Sequence, residues 1–190
     1  MKNKPKLIIV VGPHGVGKTY LTDYIRNNLE CCNLYRLSGQ PDKTKEGLSK
    51  SISMYEALFS YIENMANMNM TLLFDSFFMT EEAMSNMKDK VYSFHEAYKK
   101  FIDKLNSLPY DIYYLNLYLE NTDLFQERLT SRLHHAYYAM NKDNSIKLQT
   151  IYQNISDELK KQDHIKVFDI PMDSFEDAYR EIKRVLGIED

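Results

Sequence analysis

Lys6-Leu7-Ile8-Ile9-Val10-Val11-Gly12-Pro13-His14-Gly15-Val16-Gly17-Lys18-Thr19 decides how this chain is read. The apolar run that ends at Gly12 has the pattern of a strand buried on both faces, as in a parallel sheet. Gly12 to Thr19 then fits the phosphate-cradling P-loop pattern G-x-x-x-x-G-K-[ST] with no mismatch. Phosphate oxygens are met there by converging backbone N–H groups, which requires glycines that tolerate positive φ and close approach. The helix that follows adds its positive end. Within Thr19 to Leu29, its apolar face is Leu21, Tyr24, Ile25 and Leu29. The pattern assigns nucleotide phosphates to Gly12, Pro13, His14, Gly15, Val16, Gly17, Lys18 and Thr19. Lys18 is expected to set its ammonium between the β- and γ-phosphates and Thr19 to hold Mg²⁺ by its hydroxyl. A chance match in a chain of average composition has a probability of roughly one in a hundred or less. Three of only six glycines fall in this stretch, in the strand-to-helix setting that the pattern demands.

Outward from this stretch, strand and helix signals alternate. A short strand is expected near Asn33 to Leu37, followed by a polar loop over Ser38 to Gly47. Ile52, Tyr55, Phe59, Ile62 and Ala66 recur at helical spacing, and Thr71 to Phe74 is a short apolar strand. Helical spacing returns at Phe94, Ala97, Tyr98, Phe101, Ile102 and Leu105, until Pro109 stops it. Ile112 to Leu119 reads as a strand. Thr122 to Arg132 reads as a helix capped by Asn121 or Thr122, with Leu124, Phe125 and Leu129 inward. Leu148, Ile151, Tyr152, Ile155 and Leu159 mark another helix, and Ile165 to Ile170 the last strand, closed by Pro171. The final helix opens on a capping box, Ser174 with Asp177, and stops at Gly187. This alternation predicts an α/β fold with a parallel sheet covered on both faces. No repeat, Pro-rich linker or charge block divides residues 1–190, so one domain is expected.

Composition narrows the class. A chain of 190 residues buries a core without disulfide or metal staples, and 44% hydrophobic with 27% charged residues is a globular balance. Lys plus Arg at 24 against Asp plus Glu at 27 argues against gripping nucleic acid by bulk positive charge, although a local basic channel stays open. The adjacent Cys31 and Cys32 build no disulfide framework and point to a reducing, cytoplasmic compartment. Leu7 to Val11 is too short for an export signal, and nothing approaches the roughly 18 apolar residues of a membrane span.

Asp75 closes the apolar run Leu72-Leu73-Phe74, at the carboxyl end of a strand, where it can reach Mg²⁺ through water. A GTPase switch needs Asp-x-x-Gly, and no glycine here has an aspartate three residues before it. Asn141-Lys142-Asp143-Asn144 departs from the guanine-reading Asn-Lys-x-Asp at its last position and reads as a polar loop. A small phosphotransferase is left.

The chain resembles the thymidylate kinase and deoxynucleoside kinase group of P-loop kinases, particularly the divergent versions in bacteriophage genomes. The likeness spans nearly the whole chain. It is carried by the P-loop; by Phe74-Asp75-Ser76-Phe77 followed by Met79-Thr80-Glu81-Glu82; by Tyr114-Leu115-Asn116-Leu117 leading to Glu127-Arg128-Leu129-x-x-Arg132; and by the closing strand and helix. It implies a three-layer α/β/α P-loop fold with a five-stranded parallel sheet and a mobile lid, here about residues 132–146. It also implies ATP and Mg²⁺, with the host cytoplasm as location if the source is viral. Arg128 and Arg132 share a helical face and would lead into that lid, where arginine neutralises charge on the transferring phosphoryl group. Arg132 is the stronger candidate, since Arg128 equally suits an ion pair with Glu127 or a sheet-side carboxylate.

One position departs from the group, which carries Asp-Arg or Glu-Arg after the third strand where this chain has Ser76. Arg36, ending the second strand, is the candidate replacement for binding an acceptor phosphate. Phe77 and Tyr98, in an aromatic-rich middle, are candidates for stacking on a base, though helical spacing also suits Tyr98 to the core. A nucleoside hydroxyl is helped by a nearby carboxylate, whereas a phosphate acceptor needs no general base. Related nucleoside kinases supply a glutamate soon after the second strand, and Leu37-Ser38-Gly39-Gln40-Pro41 has none. The resemblance therefore favours a kinase of a deoxynucleoside monophosphate such as dTMP. The alternative acceptors are a deoxynucleoside or a hydroxymethylated base in DNA. A nucleotide-binding regulator without acceptor chemistry is the alternative of another class, and a homodimer is one assembly open to any of them.

Overall fold

β1 (Lys6–Val11) lies at the centre of a parallel sheet, with β3 (Thr71–Asp75) on one side and β4 (Asp111–Tyr118) on the other. β2 (Cys32–Arg36) and β5 (Ile165–Pro171) form the edges, giving the order β2-β3-β1-β4-β5. This is a computed structural model, and it describes residues 4–88, 90–130 and 141–189. The helices are α1 (Lys18–Asn28), α2 (Lys45–Ala66), α3 (Phe78–Asn86), α4 (His95–Ser107), α5 (Leu124–Thr130), α6 (Lys142–Leu159) and α7 (Phe175–Leu186).

The period of two along each strand builds the three layers. Leu7, Ile9 and Val11 of β1 join Ile112 and Tyr114 of β4 in an apolar cluster with Tyr55, Phe59, Phe101, Tyr152 and Ile155 from α2, α4 and α6. Ile8 and Val10 face the other way and meet Leu21 and Ile25 of α1 and Ala178, Ile182 and Leu186 of α7. Leu7 to Val11 have no exposed surface, which explains the unbroken apolar run: both faces of the central strand are covered. The expected five-stranded α/β/α fold is therefore the observed one.

Two expectations for local structure are corrected, and one helix is added. α2 begins at Lys45, so Gly47 belongs to the helix and not to the preceding loop. Its helical position is set by space, since a Cβ there would lie 1.9 Å from the Asp42 carbonyl oxygen. α3 had no sequence signal of its own, because two glutamates, Glu81 and Glu82, are buried beside Phe78, Met79 and Ala83 and mask its apolar face. Asn141-Lys142-Asp143-Asn144 is no loop but the start of α6, with the Asn141 side chain accepting from the Asn144 N–H at 2.8 Å. Of the segment 132–146 expected to form a lid, residues 142–146 are helical, and residues 131–140 lie outside the described residues.

Candidate active site

The chain leaves β1 toward β2 and leaves β3 toward β4 on the opposite side, so the direction of winding reverses at the sheet centre. In such sheets the crevice outside the carboxyl ends of the strands is where ligands bind. Residues 12–17 fill the turn at that end of β1 and run into α1. Gly12, Gly15 and Gly17 take φ of 151°, 82° and 110°. Gly12 also has no room for a side chain, since a Cβ would sit 2.7 Å from the Leu117 carbonyl oxygen. Gly17 caps α1 in the left-handed region with the Phe175 ring against it. These are the glycine requirements expected of a phosphate-binding turn.

Named donors hold the carbonyls of this loop. Lys18 Nζ donates to the Gly12 and Pro13 oxygens at 2.8 and 3.1 Å. Ser145 Oγ, from the first turn of α6, donates to the His14 oxygen at 3.0 Å. Arg128 of α5 donates through Nη1 to the Val16 oxygen at 3.0 Å and through Nη2 to the Met172 oxygen at 2.8 Å, and its guanidinium lies 5.0 Å from the centre of the Phe175 ring. Arg128 is the sequence's candidate for contact with a carboxylate or the transferring phosphoryl group. In the fold it donates to backbone carbonyls and ties α5 to the P-loop and to the turn before α7.

Asp75 ends β3 directly beside β1 and β2, in register with Val10 and Arg36. Thr22 Oγ1, one turn along α1, lies 3.1 Å from the Thr19 carbonyl oxygen and 3.4 Å from Asp75 Oδ2. Burial pushes the Asp75 carboxyl above its ordinary pKa, while the charges of Lys18 and Arg36 and the Thr22 hydroxyl oppose that rise. Arg36 is half exposed and pairs with Asp23 of α1 at 2.5 Å, with its Nε 3.6 Å from Asp75 Oδ2. The anomalous Ser76 follows Asp75 at φ 71°, a left-handed conformation unusual for serine, with its N–H on the Val10 oxygen at 2.9 Å.

A second polar group lies behind the end of β3. Glu81 has no exposed surface, and its carboxylate accepts from the Lys90 ammonium, from the Gln40 backbone N–H at 2.5 Å and from the Tyr92 hydroxyl at 3.4 Å. It joins α3 to the segment before α4 and to the loop after β2. Residues 37–41 of that loop carry no carboxylate, Asp42 being the nearest acid, and the fold brings Glu81 against it from α3.

Phe77 and Tyr98 do not present faces to this crevice. Phe77 is fully buried, packed by the rings of Tyr55, Phe59, Phe74 and Phe78, and Tyr98 is buried against Phe78. Both are core residues, because the aromatic-rich middle of the sequence is what fills the layer between α2, α3, α4 and the sheet. Arg132 lies outside the described residues. Sequence reasoning passed over Thr22, Asp23, Lys90 and Ser145. Only Thr22, three residues beyond Thr19 and so on the same face of α1, carried a usable signal.

No protein-family model and no curated relative matches the chain. Among solved structures, it is similar to a thymidylate kinase from Candida albicans at a TM-score of 0.68 with 12% identity, covering 98% of this chain and 93% of that one. It is also similar to deoxyadenosine kinase from M. mycoides, solved with the products dCMP and dCDP, at a TM-score of 0.62 and 16% identity over 95% and 98% of the two chains. A third likeness is to the YorR protein from Bacillus subtilis in complex with phosphorylated GDP, at a TM-score of 0.62 and 14% identity over 95% of each chain. At these identities the likeness is one of fold. Among the described residues, no helix is long and apolar enough to cross a membrane.

Proposed function

We propose that this protein is an ATP- and Mg²⁺-dependent phosphotransferase, with a deoxynucleoside monophosphate such as dTMP as first acceptor. The carrying observation is the P-loop itself: three glycines at positive φ between the central strand and α1, with Lys18 at the helix start and Asp75 at the end of the neighbouring strand. The loop and helix end would bind the β- and γ-phosphates, and the Lys18 ammonium would exchange its two carbonyl partners for phosphate oxygens. The Thr19 hydroxyl and the Asp75 carboxylate are hard oxygen donors that suit Mg²⁺, and Thr22 links their neighbourhoods through its bonds to the Thr19 carbonyl oxygen and to Asp75 Oδ2. Such an ion supplies charge neutralisation along the phosphate chain. Transfer to the acceptor would be in line, with catalysis arising from positioning and charge stabilisation. Arg36 at the end of β2 is the candidate contact for an acceptor phosphate, and Arg132 the candidate for neutralising the transferring group.

A nucleoside hydroxyl as acceptor is favoured by one observation. Arg36 already pairs with Asp23 and lies 3.6 Å from Asp75, so its charge is matched by carboxylates before any acceptor phosphate arrives. The deciding measurement is ATP consumption across nucleosides, nucleoside monophosphates and duplex DNA, with and without Mg²⁺. Lys18→Ala should keep the fold and lose at least a hundred-fold in turnover, since it removes the charge placed at the transferring group. Turnover of Lys18→Ala within a few-fold of wild type, or full activity in excess chelator, contradicts the assignment.

A further inference from the structure

We infer that Ser145 and Arg128 are positioning residues that aim the phosphate-binding amides of the P-loop by holding its carbonyls from outside. The inference rests on reading 12–19 as a phosphate cradle. A trans peptide is planar, and its C=O and the N–H of the next residue point in opposite directions. Ser145 Oγ holds the His14 oxygen at 3.0 Å, so the Gly15 N–H is turned away from α6. Arg128 Nη1 holds the Val16 oxygen at 3.0 Å, so the Gly17 N–H is turned away from α5.

The glycines at these two positions sit at φ of 82° and 110° and have no side chain to fix the adjoining peptide, so their orientation needs an external hold. Both holds are well made. Ser145 is almost wholly buried in the first turn of α6, whose cap is formed by Asn141. Arg128 is gripped on its other side by the Met172 oxygen at 2.8 Å and by the face of Phe175, the ring that also closes on Gly17. A guanidinium spans the two carbonyls with separate nitrogens, whereas a lysine ammonium is a single point of charge on a flexible stem. Arg128 acts through the loop and not on the phosphoryl group, which separates its role from the one suggested by its sequence spacing to Arg132.

Binding of ATP, inorganic tripolyphosphate and adenosine to the full-length protein tests this, with melting curves to confirm that each variant folds. Ser145→Ala should weaken ATP and tripolyphosphate alike by about five-fold, and Ser145→Thr, which keeps the hydroxyl, should restore most of that loss. Arg128→Lys should weaken both by about ten-fold or more, with adenosine affinity unchanged for every variant. ATP and adenosine affinity lost together, with tripolyphosphate unaffected, would show that Arg128 contacts the base and would overturn the inference. Wild-type affinities in folded Ser145→Ala and Arg128→Lys overturn it while the phosphate cradle stands. A wild-type protein that binds neither ATP nor tripolyphosphate overturns the cradle reading, and this inference with it.

Discussion

Asp75 is held where its ionised form is disfavoured, and that has a measurable consequence. Burial raises its pKa above the ordinary 3.8, against the opposing pull of Lys18, Arg36 and Thr22. The folded protein therefore binds this proton more tightly than the unfolded chain does. The associated stability is full below the unfolded value and is lost as pH rises through the folded one. At neutral pH, Asp75 is a net burden on the fold, as expected of a carboxylate kept for a ligand. Asp75→Asn should thus melt at or above the wild-type temperature at pH 7.5, with the gain shrinking as pH is lowered toward the ordinary carboxylate pKa, while Mg²⁺-dependent activity is lost. A melting difference that does not vary with pH contradicts this account. Asp75, Lys18 and Arg36 could be named as candidates from the sequence because each ends or begins an element at the carboxyl edge of the sheet. Asp23 and Ser145 were not, since their places depend on which element packs next to which.

At the scale of elements, legibility followed the apolar pattern. α7 was read nearly to the residue: the Ser174 side chain accepts from the Asp177 N–H at 3.3 Å, and Gly187 ends the helix at φ 66°. α3 was invisible because its buried face carries Glu81 and Glu82, which a hydrophobic period counts as solvent-facing. α6 was shortened in the reading because its first turn is polar yet capped by Asn141. The two ends of α7 provide a quantitative check. Ser174→Ala removes a cap worth about 1 kcal/mol. Gly187→Ala meets nothing within 4 Å, so its cost is the left-handed backbone alone, about 1 kcal/mol. The α7 ends lie far apart, so the double variant should lose the sum, about 2 kcal/mol, lowering the melting temperature by roughly 4–8 °C. A Gly187→Ala protein as stable as wild type would show that the left-handed ending is not needed.

At the scale of the whole molecule, the sheet and its two covered faces followed from the sequence because the central strands are unbroken apolar runs. The Glu81–Lys90 pair did not, because it unites segments that no local pattern connects: α3, the stretch before α4 and, through the Gln40 N–H, the loop after β2. Both side chains are almost wholly buried, so each charge depends on the other for its solvation. Removing one partner strands a charge in the interior and should cost about 3–5 kcal/mol, whereas replacing both with apolar groups of similar size is often close to neutral. Glu81→Leu and Lys90→Met should each unfold at much lower urea, and the double variant should recover to within about 1–2 kcal/mol of wild type, retaining a deficit for the unmade bond to Gln40. That recovered protein should keep its ATP affinity and lose acceptor affinity, because the loop after β2, which leads on from Arg36, is then no longer fastened to α3. Simple addition of the two single losses in the double variant would mean that the charges are solvated independently. Undiminished acceptor affinity would mean that the fastened loop does not shape the acceptor side.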